Sequence, residues 1–333
     1  MKSEVKFIFR KPHDSGNYSI EYLFDKILGS FDDWQHISKF TTRFVSRGIL
    51  SRLLVCADVF LNRGRVNVIT GDINFVTLFL PKNSVVLVIH DCGYLYDKKG
   101  ISKWLQEIFW YRLPVRRAAK VIAVSDATKA DLIKITKSDP TKIKIIPNFI
   151  DPIFQKRDKK ILGKLPLLLQ IGQAENKNLE RIIWAVKGLH VQISIIGKIS
   201  EKNLNLLEEH RINYVNSVNL SDIEIYEEYI RSDILLFPST YEGFGLPILE
   251  AQAVGRPVIT SNTTSMPWVA GEGAMIVDPY SIESIRSGIE ILLADAGLRN
   301  ALRNKGFENV KRFQFERVVK MYQAVVLETL NAK

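Results

Sequence analysis

Pro238-Ser-Thr-Tyr-Glu-Gly-Phe-Gly-Leu-Pro-Ile-Leu-Glu-Ala251 is the stretch on which the reading of this 333-residue chain turns. The four residues before it, Ile234–Phe237, are apolar without alternation, as a strand buried on both faces requires. Ser239–Gly245 then reads as a turn at the carboxyl end of that strand. Gly243 and Gly245 in this turn supply backbone that tolerates positive φ and lets a ligand approach N–H groups closely. Pro247 fits a first helical turn, so Leu246–Ala253 reads as a short helix, closed by Gly255 and Pro257. The N-terminus of such a helix offers backbone donors and the positive end of a dipole to a phosphate or a sugar oxygen. Glu242 lies in the turn and Glu250 on the helix, eight positions apart. One carboxylate can face a sugar while the other accepts two vicinal ribose hydroxyls.

The same strand–turn–helix unit recurs along the chain. In the first half, strands are expected near Val5–Phe9, Val66–Thr70, Val85–His90, Val121–Val124 and Lys144–Ile146. Helices are expected over Ser15–Leu28, Thr41–Leu61, Ser102–Ala119 and Asp126–Ile135. The polar, basic run Gln155–Lys160 has no apolar period and reads as a linker. A second series follows, with strands at Leu167–Ile171, Val191–Ile196, Asn213–Val215, Ile234–Phe237, Pro257–Thr260 and Ala274–Val277. Strand–helix alternation twice over predicts an α/β chain of two Rossmann-like parallel-sheet domains. We assign residues 1–153 to the first domain and 161–313 to the second. Residues 314–333 are a terminal helix that can pack back on the first domain. Ligands of such sheets sit at the carboxyl ends of strands, and two domains facing across a cleft suit a two-substrate enzyme.

Composition narrows the function. The net charge is +10. Residues 1–150 hold 24 Lys+Arg against 14 Asp+Glu, whereas the remainder holds 22 of each. The excess belongs wholly to the first half and points to an anionic partner, such as a membrane surface, a nucleic acid or a phosphorylated acceptor. No apolar run reaches the 18 or so residues that cross a bilayer. The amino-terminal residues read as a first strand rather than a secretion signal, which predicts a cytoplasmic protein. Two cysteines, Cys56 and Cys92, make no disulfide framework, and neither they nor the five histidines show metal-ligand spacing.

Glu242-Gly-Phe-Gly-Leu-Pro-Ile-Leu-Glu250 resembles the paired-glutamate motif of the retaining glycosyltransferases of family 4, which have the GT-B fold. The resemblance runs on through Ala251, Gly255, Pro257, Val258, Ser265, Pro267 and Ala270-Gly271 to Val277-Asp278-Pro279, and backwards over most of the chain. It implies that residues 1–153 bind the acceptor and 161–313 the nucleotide sugar, that Glu250 holds the donor ribose and that Glu242 faces the transferred hexose, with Gly243, Phe244, Gly245 and Leu246 lining the donor.

The run Ile171-Gly-Gln-Ala-Glu-Asn-Lys-Asn-Leu-Glu-Arg181 is similar to the family's diphosphate loop. Gly172 ends a strand, Asn176 or Asn178 can cap the following helix, and Lys177 is placed to meet the diphosphate. Many members carry an arginine where this chain has Gln173, which leaves Lys177 with less cationic help unless Arg181 or the first domain contributes. Gly197 and Lys198 end the next strand and are expected to line the nucleotide pocket.

From the first domain, His90 matches a histidine that in the family contacts the transferred sugar. Gly16 matches a loop that approaches the phosphates, while Asp91, Tyr94 and Ser125 are candidates for the acceptor. The aromatics and arginines of Ile101–Lys120 suit either a membrane interface or an ordinary amphipathic helix. Trp268 stands where many relatives have a glutamate, and if it faced the cleft it would alter acceptor or base recognition.

The activity so implied is transfer of a hexose or deoxyhexose, with a mannose-type sugar favoured, from a GDP- or UDP-linked donor to a glycan or lipid-linked acceptor of a bacterial surface polysaccharide. No Asp-x-Asp pair provides for a metal on the diphosphate, so neither metal nor cofactor is expected. Two other classes remain open. A sugar-nucleotide epimerase of the same architecture would turn over the donor without an acceptor. A basic nucleic-acid binder would show steeply salt-dependent binding, but would leave the motif of the second half without a role.

Overall fold

The computed structural model describes residues 4–12, 19–31, 37–95, 99–157 and 162–332. The chain divides into two compact units, one of residues 1–149 with 316–333, the other Ile150–Phe315. The boundary therefore falls ahead of residue 153, and Arg157 donates its backbone N–H to the Val254 carbonyl inside the second unit.

The first unit is built from β1 (Val5–Phe9), α1 (Ser19–Gly29), β2 (Ile37–Thr41), α2 (Ile49–Leu61), β3 (Val66–Ile69), β4 (Val85–Ile89), α3 (Gly100–Gln106), α4 (Leu113–Arg117), β5 (Lys120–Ala123), α5 (Asp126–Thr136) and β6 (Ile143–Ile145). Its strands pair in parallel in the order β2-β1-β3-β4-β5-β6. Strands β3 and β4 are buried along their whole length; β4 is apolar throughout, as such burial favours, and the one polar residue of β3, Asn67, donates to the Gly64 and Ser84 carbonyls. Val55 and Val59 of α2, Val115 of α4 and Leu132 of α5 pack with Ile8, Ile69, Leu87 and Val121 in one core. The expected helix over Ser102–Ala119 is not uniform. It passes through a π-helical stretch, Glu107–Arg112, between α3 and α4.

Strand β2 is absent from the sequence reading: it lies just ahead of the helix expected over Thr41–Leu61, which starts only at Ile49, and its half-exposed pattern marks it as an edge strand. A 3₁₀ segment, Asn74–Phe79, follows β3.

The second unit contains β7 (Leu167–Ile171), α6 (Leu179–Val186), β8 (Gln192–Ile196), α7 (Glu201–Glu209), β9 (Tyr214–Ser217), α8 (Asp222–Arg231), β10 (Ile234–Phe237), α9 (Leu246–Val254), β11 (Val258–Ser261), α10 (Met266–Ala270), β12 (Met275–Val277), α11 (Ile282–Ala294) and α12 (Ala296–Val310). Its parallel sheet runs β12-β11-β10-β7-β8-β9. Each unit is thus a Rossmann-like layered α/β domain, as the alternation predicts.

The last helix, α13 (Phe315–Asn331), belongs to the first unit. Tyr322 is buried edge-on to Phe24 of α1, with ring centroids 5.6 Å apart. Glu328 bonds to both Lys120 and Lys144. These two ammonium groups hold the Glu328 carboxyl down at about 2.

Candidate donor site

Strand order locates the site in the second unit. Sequence order reverses between β7 and β10, because β8 and β9 lie on one side of β7 whereas β11 and β12 lie beyond β10. A crevice opens at the carboxyl ends of strands at such a switch point. The loop after β7 and the loop after β10 meet there. The Thr240 N–H donates to the Asn176 carbonyl at 2.8 Å, and Asn176 Nδ2 donates to the Tyr241 carbonyl at 2.8 Å.

Lys177 Nζ donates to Glu242 Oε1 at 2.6 Å, and both side chains are mostly buried, at 21% and 13% exposure. Lys177 Nζ also lies 4.8 Å from the Phe237 ring centroid. The lysine stem crosses Gly172, whose φ is +92°, and a Cβ on Gly172 would come within 3.0 Å of the Lys177 Cγ and Cε. A glycine is therefore demanded twice at this strand end, by backbone conformation and by the lysine lying over it.

Lys177 closes a 3₁₀ turn, Glu175–Lys177, just before α6. The expected asparagine cap is not made, and no side chain caps α6. Asn178 takes φ +63° and turns its amide inward, donating to the Pro238 carbonyl at 2.9 Å and the Pro279 carbonyl at 2.7 Å. It pins three loops together. Arg181 donates to Asn178 Oδ1 at 2.9 Å and so supports the loop.

At the start of α9, Gly245 has φ +109° and is the N-cap residue. Gly243 does not adopt positive φ, so only one of the two glycines is used for that purpose. The Ser265 hydroxyl shares its one proton between the Glu242 and Phe244 carbonyls, 2.9 and 2.7 Å from Oγ, which fixes the turn and leaves Leu246 to open the helix.

Glu250, on the first turns of α9, accepts the Tyr229 hydroxyl at 2.6 Å. Burial pushes the Glu250 carboxyl up to about 7, and Asp151 and Asp222 add to the rise against the Tyr229 bond and Lys177. Tyr229, fully buried on α8, was not singled out from the sequence. Nothing in its local pattern distinguishes it from a core aromatic.

Gln173 donates to Gln170 Oε1 at 3.4 Å, while its own Oε1 is buried without a partner among the described residues. Gly197 lies against the Gln173 stem, and Lys198 is exposed beyond it. Trp268 packs edge-on to Phe244 and Phe313, with ring centroids 6.4 and 5.8 Å away, and carries the Arg312 guanidinium 5.1 Å from its ring. It therefore buttresses the turn that holds Phe244.

In the first unit the corresponding switch point lies between β1 and β3. Arg10, just after β1, bonds to Glu21 at 2.9 Å and to Asp72 at 3.0 Å. This cationic group at a strand end also escaped the sequence reading. His90, after β4, bonds through Nε2 to the Thr70 carbonyl at 2.8 Å. A carbonyl only accepts, so Nε2 carries the proton, and in the neutral ring Nδ1 is left as an acceptor.

Asp91 accepts the Gly93 N–H at 2.7 Å, and burial raises its carboxyl above the ordinary range. Ser125 departs from its expected place as an acceptor contact. It is fully buried as the N-cap of α5, accepting the Thr128 N–H. Tyr94 lies on a 3₁₀ turn, Gly93–Leu95, but its side chain falls outside the described part, as does Gly16 entirely. Among the described residues no group of three or more His, Cys, Asp or Glu side chains could hold a metal.

Comparison with known proteins places these loops in a family. The description "Glycosyl transferases group 1" matches residues 152–309, and "Glycosyltransferase Family 4" matches residues 64–154. An O-antigen chain mannosyltransferase B from Escherichia coli is 40% identical over 88 residues, 26% of this chain and 23% of that one. The O-antigen chain mannosyltransferase RfbU from Salmonella typhimurium is 26% identical over 252 residues, 71% of this chain and 69% of that one. Among these and further curated relatives the chain spans between 23% and 69% of their length. In fold, a sucrose-phosphate synthase from Thermosynechococcus elongatus superposes with a TM-score of 0.83 at 15% identity, covering 99% of this chain and 100% of that one. The two family descriptions run without a gap from residue 64 to residue 309, and the chain belongs to the group 1, or family 4, glycosyltransferases with the GT-B fold.

Proposed function

We propose that this protein transfers a hexose or deoxyhexose, with retention, from a nucleoside-diphosphate sugar to a glycan or lipid-linked acceptor of a bacterial surface polysaccharide. The observation that carries the reading is the Lys177–Glu242 pair at the switch point of the second sheet, with Glu250 on the adjoining helix. An ammonium, a helix N-terminus and two carboxylates sit on loops that a nucleotide diphosphate and its sugar would reach together. Glu250 takes the ribose hydroxyls, Lys177 the diphosphate and Glu242 the hexose. His90 offers Nδ1 to a sugar hydroxyl.

In the reaction the bond from the anomeric carbon to the β-phosphate oxygen breaks. The acceptor oxygen bonds to that carbon on the same face, and the departing phosphate takes the acceptor proton. Lys177 and backbone donors stabilise the leaving charge, which supplies electrostatic catalysis without a metal. A mannose-type donor is favoured by the names of the two O-antigen relatives. The acceptor sits at the cytoplasmic face of an anionic membrane, and nucleic acid is not a partner. That placement is supported by the excess positive charge of the first half.

The test is a thermal-shift screen of GDP, UDP and their sugars, followed by transfer assays on the responding donor with and without a chelator. A specific nucleotide shift that Lys177→Ala and Glu250→Ala abolish is expected. Full transfer rates in both variants would overturn the site. Donor turnover without an acceptor would favour an epimerase.

A further inference from the structure

Helix α2 carries large apolar side chains on its exposed side as well as on its buried one. Val55, Cys56, Asp58 and Val59 face the core. Ile49, Leu50, Leu53, Leu54, Phe60 and Leu61 face outward, with Ile49 and Leu50 each 79% exposed and Leu61 72%. At 100° per residue these six fall within an arc of about 140°, a continuous stripe along the helix. A surface helix ordinarily turns its polar residues outward, so an exposed apolar stripe of this size marks a site that meets an apolar environment.

The stripe has company. Ile101, Trp104 and Leu105 of α3 and Phe109 of the π-helical stretch are also exposed. The two exposed surfaces are tied together, since the Arg52 guanidinium of α2 lies 4.6 Å from the Trp110 ring centroid. Helices α2, α4 and α5 pack into one core on one face of the sheet. On α1 and α13 only Tyr22 and Leu327 are large, apolar and exposed among the described residues. The asymmetry is a property of one face.

We infer that this face, centred on α2, docks in the plane of an anionic lipid bilayer. Charge selects that occupant. Between Thr42 and Arg65 there are five arginines and one acid. The acid, Asp58, is 1% exposed and bonded to Arg43. Beside Leu113, a cavity of about 610 Å³ gathers Arg112, Arg116, Lys137 and Lys142 around Asp139. Arginines flanking a Leu/Ile stripe can reach lipid phosphates while the stripe enters the acyl region. A second copy of the chain fits less well, because a two-fold contact pairs the same patch with itself and would set arginine against arginine. The helix is about 20 Å long, too short to cross the ~30 Å hydrocarbon core, so it lies along the surface.

This docking deepens the membrane-bound acceptor reading above, yet it is separable from the reaction. The experiment is flotation of the full chain with vesicles of phosphatidylglycerol and phosphatidylethanolamine, against pure phosphatidylcholine. Binding to the anionic vesicles is expected, with Leu53→Glu lowering partition at least about tenfold and Arg63→Ala lowering it less. Nucleotide binding should be unchanged in both. A Leu50→Trp variant, read by quenching with brominated acyl chains, reports insertion without adding charge. Three results would each overturn the docking and leave the donor site untouched. These are equal vesicle binding by Leu53→Glu, no quenching of Leu50→Trp, and a solution dimer that Leu53→Glu turns into a monomer.

Discussion

At the scale of single residues, the donor loops hold a mutual neutralisation. Lys177 and Glu242 satisfy each other at 2.6 Å, so neither is left as a bare charge in a mostly buried place. A diphosphate arriving beside Lys177 brings its own negative charge and must compete with Glu242 for the ammonium. Removing the ammonium by Lys177→Ala is expected to lower kcat/KM by about 10²–10³-fold, measured with the donor identified by thermal shift.

Glu250 carries a pH signature. Its carboxyl, raised to about 7, is largely protonated in the folded protein where an unfolded chain would already have lost the proton. The burden of its burial is small near pH 4.5 and grows until pH passes 7. Glu250→Gln should therefore raise Tm by about 5 °C near pH 8 and by much less near pH 5, in calorimetric scans. If the carboxylate accepts ribose hydroxyls, wild-type nucleotide affinity should rise with pH through about 7, and the Gln variant should bind weakly at all pH values. Titration calorimetry at several pH values decides this.

Elements show where sequence and structure part company. The parallel strands Ile234–Phe237, apolar throughout, and Leu167–Ile171, apolar but for the buried Gln170, are legible because short apolar runs have few other uses, and both appear with those bounds. The edge strand β2, Ile-Ser-Lys-Phe-Thr, is not legible, since one partner strand and half-exposure leave only a weak alternation. The glycine-and-glutamate turn can be read locally. Its partners cannot, because Lys177 and Glu242 are 65 residues apart and Tyr229 and Glu250 are 21 apart. Only strand order brings them together.

Asn178 is the clearest such case, since it looks like a helix cap and works as a tie. Asn178→Ala would take the side-chain donor from the Pro238 and Pro279 carbonyls and put alanine, which tolerates the left-handed region less well than asparagine, at φ +63°. A loss of about 2–4 kcal/mol is expected in denaturant titration of the second unit. Asn178→Gly, which removes the backbone strain alone, should recover only a part.

For the whole molecule, the decisive fact is that the first unit is discontinuous in sequence. It needs residues 1–149 and also the last helix, whose Val318, Tyr322, Val325 and Val326 are buried. Each buried side chain of this kind is worth about 1.5–3 kcal/mol. Truncation after Phe315 should thus unfold or aggregate the first unit, read as loss of its thermal transition. The second unit, whose residues are intact, should still give a nucleotide-dependent shift. If both units melt unchanged, the terminal helix is not part of the first core.

During synthesis the consequence is an inverted order. The second unit, although encoded later, can close as soon as Phe315 has left the ribosome. The first unit must wait, with Phe24 and its neighbours uncovered, until the last seventeen-residue helix emerges. For that interval the earlier-made half of the protein is the one exposed to misfolding and to chaperones.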